Sequence, residues 1–161
     1  MSVQRLGLII GAAILGLDQL SKWWILTIFH LPERGMAIVL PFFNLAMVWN
    51  RGVSFGMFNS GGALGRWLLA IVALVVVGFL LVWLRQAGNR LMAVAIGLIV
   101  GGALGNLIDR VRFGAVVDFI ELHAAGYAFY VFNVADAAIS IGVALLIWDA
   151  MFAPRTGADP R

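Results

Sequence analysis

Two aspartates in this chain stand where a charge has no evident local partner. Asp118 sits in AVVDFI (residues 115–120), between apolar neighbours, and Asp136 falls at the start of a long apolar run, in FNVADAAISIG (residues 132–142). Two carboxylates held at one level permit a definite chemistry. When they share a proton, repulsion and desolvation drive their apparent pKa values apart, so one acts as a base on water while the other protonates or hydrogen-bonds a substrate carbonyl. That is the chemistry of an aspartic protease. The same residues also admit a structural account. Asn133 is a good N-cap for a helix beginning there, Asp136 in the first turn complements the helix dipole, and Asp118 taken alone reads as a solvated loop carboxylate.

Other reactive constellations are thin. His30 and His123 are the only histidines, too few for a histidine-rich metal site, and His123 reads as a surface residue. There is no cysteine, which excludes disulfides, thiolate metal sites and a cysteine nucleophile. No G-x-S-x-G elbow occurs. The glycine-rich GGALG (residues 101–105) lies inside an apolar run and lacks the lysine and strand of a phosphate loop, so it reads as a close helix–helix contact.

The elements that must position these residues follow from composition. Of 161 residues, 63% are hydrophobic and 12% charged, and the mean hydropathy is +1.00. A soluble domain of this size cannot hide that much apolar surface, so its solvent is a bilayer. Four runs reach the roughly 20 residues needed to cross a hydrocarbon core: residues 6–29, 67–84, 91–108 and 134–152. The reading is an all-α membrane protein, one domain over residues 1–161, with four transmembrane helices and both termini on one side. A cleaved signal peptide is the alternative for the first run, but the run continues through Asp18 and Lys22 without a convincing cleavage site. The formal charge of +3 is modest, and nucleic acid is not an expected partner.

Two longer segments lie between the runs. Residues 36–58, rich in β-branched and aromatic residues but broken by Pro41, Asn44, Asn50, Gly52 and Gly56, suit short strands at the membrane surface better than a fifth span. Residues 126–132 suit one more strand, and residues 119–125 a short interfacial helix. No internal repeat of the kind that builds many transporters is visible.

On these helices the polar residues gather at one end. Asp18 and Lys22 share a face at i, i+4; Asn106, Asp109 and Arg110 close the third run; Asn133 and Asp136 open the fourth. Asp18 with Lys22 reads as an ion pair and Asp109 with Arg110 as a wet helix end. A proton pathway through Asp18, Lys22, Asp109, Arg110 and Asp136 is the rival reading, yet a transporter needs carboxylates reachable from both sides, and these cluster toward one. A lipid-modifying transferase would call for a metal-binding aspartate cluster or histidines.

Five ordered blocks carry a specific resemblance: DQLSK from Asp18, NRGVSFG from Asn50, GGALGNLIDR from Gly101, VVDFIE from Val116 and FNVADAAIS from Phe132. Together they resemble the lipoprotein signal peptidases, or signal peptidase II, of bacteria. The resemblance implies an intramembrane aspartic endopeptidase of the inner membrane, with a small β-rich cradle on the periplasmic side, that cleaves diacylglyceryl-modified prolipoproteins before the lipidated cysteine. Besides those prolipoproteins, membrane lipids are the implied partners, and no metal or organic cofactor is implied. Carried over residue by residue, the catalytic pair is Asp118 and Asp136, and Asp18, Lys22, Asn50, Gly52, Asn106, Arg110 and Asn133 bind substrate or support the site. One departure is Ser54, where the family usually shows alanine.

Orientation rests on arginines packed into short flanking segments: Arg5, Arg85, Arg90, Arg155 and Arg161 mark the cytoplasmic side, which holds both termini. Reporter fusions after Arg90 and after Arg161 are expected to read as cytoplasmic and one near Gly61 as periplasmic; the reverse pattern would invert the site.

Overall fold

The structure, a computed structural model, describes residues 1–52, 63–124 and 126–152. Among them, four helices are long and apolar enough to cross a membrane. They are α1 (Val3–Trp23), prolonged by a π-helical turn (Trp24–Ile28), then α3 (Ala63–Leu84), α4 (Arg90–Phe113) and α5 (Val134–Phe152), with a single-turn α2 (Leu31–Arg34) after the first. Their outward faces display Leu8, Leu17 and Leu20 on α1, Val75 and Phe79 on α3, and Ile147 and Met151 on α5, all exposed. Such surfaces are stable only against hydrocarbon, and a helix is what satisfies its own backbone there.

α4 is the central post. It packs against α1, α5 and α3, whereas α1 and α3 lie on it side by side and hardly touch each other. Close approach is what the GGALG segment provides. A Cβ on Gly101 would come within 2.9 Å of the Ile14 Cβ, and one on Gly102 within 2.9 Å of the Ile139 Cγ1, so neither position has room for a side chain. In a bilayer, where apolar side chains gain nothing by leaving lipid, this backbone-to-backbone packing is a main source of helix association.

The spans alternate in direction. At one end Leu84 covers Gly7, and the Asn89 amide, which also caps α4 through Met92 N–H (2.8 Å), donates to Asp149 near the end of α5 (3.0 Å). At the other end Asp18 meets Gly105 and the start of α5. The chain start, the α3–α4 turn and the end of α5 therefore share one end of the bundle, and the polar residues occupy the opposite one.

That opposite end carries an antiparallel sheet in the order β1-β2-β3-β4, formed by β1 (Met36–Leu40), β2 (Phe43–Asn50), β3 (Val116–Ala124) and β4 (Tyr127–Ala128). The all-α description thus fits only the spanning part of the chain. Strands expected within residues 36–58 are present as β1 and β2; residues 53–58, with Ser54, lie outside the described residues. The interfacial helix expected over residues 119–125 is instead strand through Ala124. The run Val116-Val117-Asp118-Phe119-Ile120 favours strand, and it finds a partner in β2, pairing Val48 with Asp118 and Phe43 with Leu122. The strand expected over residues 126–132 is shorter, β4 and then a single bridge from Phe132 to Ile120. Ile25, Leu31, Leu45, Val117 and Phe119 form a buried cluster that locks the sheet onto the end of α1.

The expected third run ended at residue 108, with Asp109 and Arg110 at a wet boundary. The helix continues to Phe113 and Asp109 is only 1% exposed.

Candidate active site

The site is assembled from the inner ends of three spans and two strands, in two layers. The lower layer centres on Lys22, whose ammonium is 2.8 Å from Asp18 Oδ2, 2.7 Å from Asp109 Oδ2 and 3.1 Å from Asn106 Oδ1. Three acceptors match its three N–H bonds. The ion pair between Asp18 and Lys22 was legible from i, i+4 spacing. The second partner was not: Asp109, expected beside Arg110, turns inward to Lys22 instead, which is why α4 runs on past residue 108.

Each lower carboxylate also holds another element. Asp18 Oδ1 accepts from the Ala135 N–H (3.0 Å), one of the orphan donors at the start of α5, and Asp109 Oδ2 accepts from the Val117 N–H on β3 (3.1 Å). Gln19 spans the two carboxylates, its amide 3.1 Å from Asp18 Oδ2 and 3.1 Å from Asp109 Oδ1. Asp18, Lys22 and Asp109 are all buried.

The upper layer holds Asp118 and Asp136, and three asparagines clamp them. Asn133 is the link: its Nδ2 donates to Asp118 Oδ1 (2.7 Å) while its backbone N–H donates to Asp136 Oδ2 (3.2 Å). Asn106 Nδ2 donates to Asp136 Oδ1 (2.8 Å), and Asn50 Nδ2 to Asp118 Oδ2 (3.0 Å). All four carboxylate oxygens accept from neutral amides. Asn106 also joins the layers, since its Oδ1 accepts from both Lys22 and Asn133 Nδ2 (3.1 Å each).

Asn133 and Asp136 meet the capping account too. Asn133 Oδ1 accepts from the Asp136 N–H (2.9 Å) while Asp136 accepts in return, a reciprocal capping box at the start of α5. Cap and carboxylate pair are one arrangement. Asp118 is no loop residue: it lies on β3, wholly buried, and Asp136 is half-buried. Burial, more than any other cause, raises the Asp118 pKa from its ordinary 3.8 to about 6; the Asn50 hydrogen bond opposes this, the Asp136 charge adds to it, and Asn133 and Lys22 oppose it.

The remaining expected residues take lesser places. Gly52, at φ +112°, donates its N–H to Asn50 Oδ1 (3.0 Å), a turn that aims the Asn50 amide at Asp118 and uses a backbone region side chains avoid. Arg110 donates to the Asn106 carbonyl (3.3 Å). Asp109, Gln19 and Tyr130, whose hydroxyl accepts from Asn50 Nδ2 at 3.1 Å, belong to the cluster but were not among the expected site residues. His30 is exposed, and His123 is half-buried on β3.

Comparison with known proteins adds an independent line. A family profile described as Signal peptidase (SPase) II matches residues 10–152. A protein named lipoprotein signal peptidase from Methylorubrum extorquens (strain PA1) is 54% identical over 156 residues, covering 96% of this chain and 91% of its own. Another of that name from Methylobacterium sp. (strain 4-46) is 49% identical, covering 94% and 92%. A solved bacterial membrane enzyme superposes with a TM-score of 0.79 at 32% identity, covering 96% of this chain and 93% of its own.

Two outcomes are expected from the geometry. Lys22→Ala leaves Asp18 and Asp109 buried without their cation and is expected to lower stability by about 3–5 kcal/mol. Asp18→Ala, which leaves Lys22 paired with Asp109, is expected to cost less; thermal unfolding in detergent checks the order. The second outcome concerns Asp118. Between pH 3.8 and about 6 the folded chain holds its proton more tightly than the unfolded chain, so the unfolding free energy falls as pH rises through that window. The loss amounts to about 3 kcal/mol, and Asp118→Asn is expected to abolish this part of the slope in denaturant titrations.

Proposed function

The chain belongs to the signal peptidase II family, aspartic proteases that remove signal peptides from prolipoproteins, and we propose that Asp118 and Asp136 carry out the hydrolysis in this one. The observation that carries the assignment is the Asn133 bridge, which holds one carboxylate through its side chain and the other through its backbone.

Their roles follow from their surroundings. Asp118, buried and with its pKa pushed up to about 6, takes up a proton more readily than an ordinary aspartate and in its protonated form hydrogen-bonds the scissile carbonyl oxygen. Asp136, half-buried and one turn into a helix, takes a proton from water as the water oxygen attacks the carbonyl carbon. The carbonyl oxygen receives the Asp118 proton, giving a neutral tetrahedral diol. Collapse returns a proton to Asp118 and transfers the one on Asp136 to the leaving amine. The three clamping asparagines cannot titrate, so the proton inventory belongs to the pair alone. Lys22, Asp18 and Asn106 act as positioning groups, and Asn50, held by Gly52, orients Asp118.

The substrate reading is a prolipoprotein carrying a diacylglyceryl-modified cysteine, cut just before that residue. The four spans and the family support a multi-pass bacterial membrane protein of one domain. With the arginine-rich end cytoplasmic, the sheet and the carboxylate pair face the periplasm. In this orientation the lipid chains remain in the bilayer, the signal helix enters laterally between spans, and the scissile segment lies extended near the sheet.

Mixing the purified protein with a diacylglyceryl-modified prolipoprotein in detergent is expected to release the signal peptide as a shift in product mass. Asp118→Asn and Asp136→Asn are each expected to keep the fold and lower cleavage by several orders of magnitude, with the double variant hardly worse than either. Substantial cleavage by a folded single variant would refute the pair.

A further inference from the structure

Between α1 and α3 an apolar groove of about 270 Å³ runs from Gly7 to Leu15 and Leu104, and none of its lining residues belongs to the carboxylate site. Leu8, Ala12 and Leu15 line it on α1 and Leu81 on α3, with Gly97 and Val100 of α4 as its floor. It exists because α1 and α3 both pack on α4 and barely on each other. Every lining residue is apolar, so in a bilayer the groove selects hydrocarbon over water.

Its form suits a chain better than a helix: a helix with its side chains is ~10 Å across, as broad as α1 or α3 itself, whereas an acyl chain is a single file of methylenes.

Charge decides the rest. Arg5 lies one turn before Leu8 on α1 and Arg90 two turns before Gly97 on α4, both on the lining face, and Arg85 directly follows the last residue of α3, Leu84; all three are exposed. Three guanidiniums at the mouth of an acyl slot attract an anionic headgroup and repel the positively charged start of a signal segment. We propose that this groove is a binding site for one anionic phospholipid of the leaflet on the side of the termini, an acyl chain between α1 and α3 and the phosphate at Arg5, Arg85 and Arg90. The lipid fills the cleft and fastens α3 to α1. The inference is independent of the roles given to Asp118 and Asp136.

The test is lipid titration of the purified full chain in detergent with dioleoylphosphatidylglycerol, and with dioleoylphosphatidylcholine as the neutral control, read by native mass spectrometry and by thermal unfolding. The expected result is one retained phosphatidylglycerol per chain, saturable, half-bound at roughly tenfold or more lower concentration than the control, with a parallel rise in Tm. Ala12→Phe, on an exposed stretch of α1, is expected to abolish retention of both lipids, and Leu15→Trp fills the same groove should the first variant not fold. Arg5→Gln with Arg85→Gln is expected to bring the two lipids to nearly equal affinity. Absence of saturable binding to the parent chain, equal affinity for the two lipids, or binding unchanged in a folded groove-filling variant would overturn the proposal. Displacement of bound lipid by a synthetic signal segment would give the groove to the substrate and would overturn it as well.

Discussion

One ammonium group holds this molecule's polar end together. Lys22 sits among Asp18, Asp109 and Asn106, and each of those acceptors is committed elsewhere: Asp18 to the start of α5, Asp109 to β3, Asn106 to Asp136. A buried charge is costly until every bond it can make is made, and then the same low dielectric strengthens every one of them. Three spans and the central strand are thereby fixed relative to one point. The carboxylate pair inherits its geometry from that point, since Asn106 touches both Lys22 and the upper layer.

The upper layer shows how a helix start doubles as the mount of a carboxylate pair. A capping box needs an acceptor at the N-cap and another one turn in, and Asn133 with Asp136 supplies both. What distinguishes it from an ordinary cap is the spare amide hydrogen of Asn133, spent on Asp118 across from β3. Rigidity comes from local backbone geometry, and the pairing of carboxylates from bringing a strand residue against it.

Much of this was legible in the sequence, and the parts that were not share a cause. The four spans follow from apolar run length, and Asp18 with Lys22 from helical spacing, because both are local properties. Asp109 is different: its spacing from Asn106 assigns it to a face of α4 but not to the neighbour that face meets, and so its pairing with Lys22 was hidden. Gln19 and Tyr130 gave no signal at all, being single polar residues whose partners lie far off in the chain. The helix expected over residues 119–125 failed for the same reason, since β3 owes its form to a register with β2 about seventy residues earlier. In contrast, the asparagines and aspartates of the site stood out, because polar groups at bilayer depth are rare.

The pairing of Asp18 with Lys22 within a single helix bears on biogenesis. Spans leave the ribosome in order, and α1 must enter the bilayer before α4 or α5 has been made. A lone lysine at that depth would wait unpaired for Asp109, nearly ninety residues later. Because its first counter-ion lies one turn away on the same helix, Lys22 enters the bilayer already paired, and the later spans add Asp109 to a pair formed before they arrived.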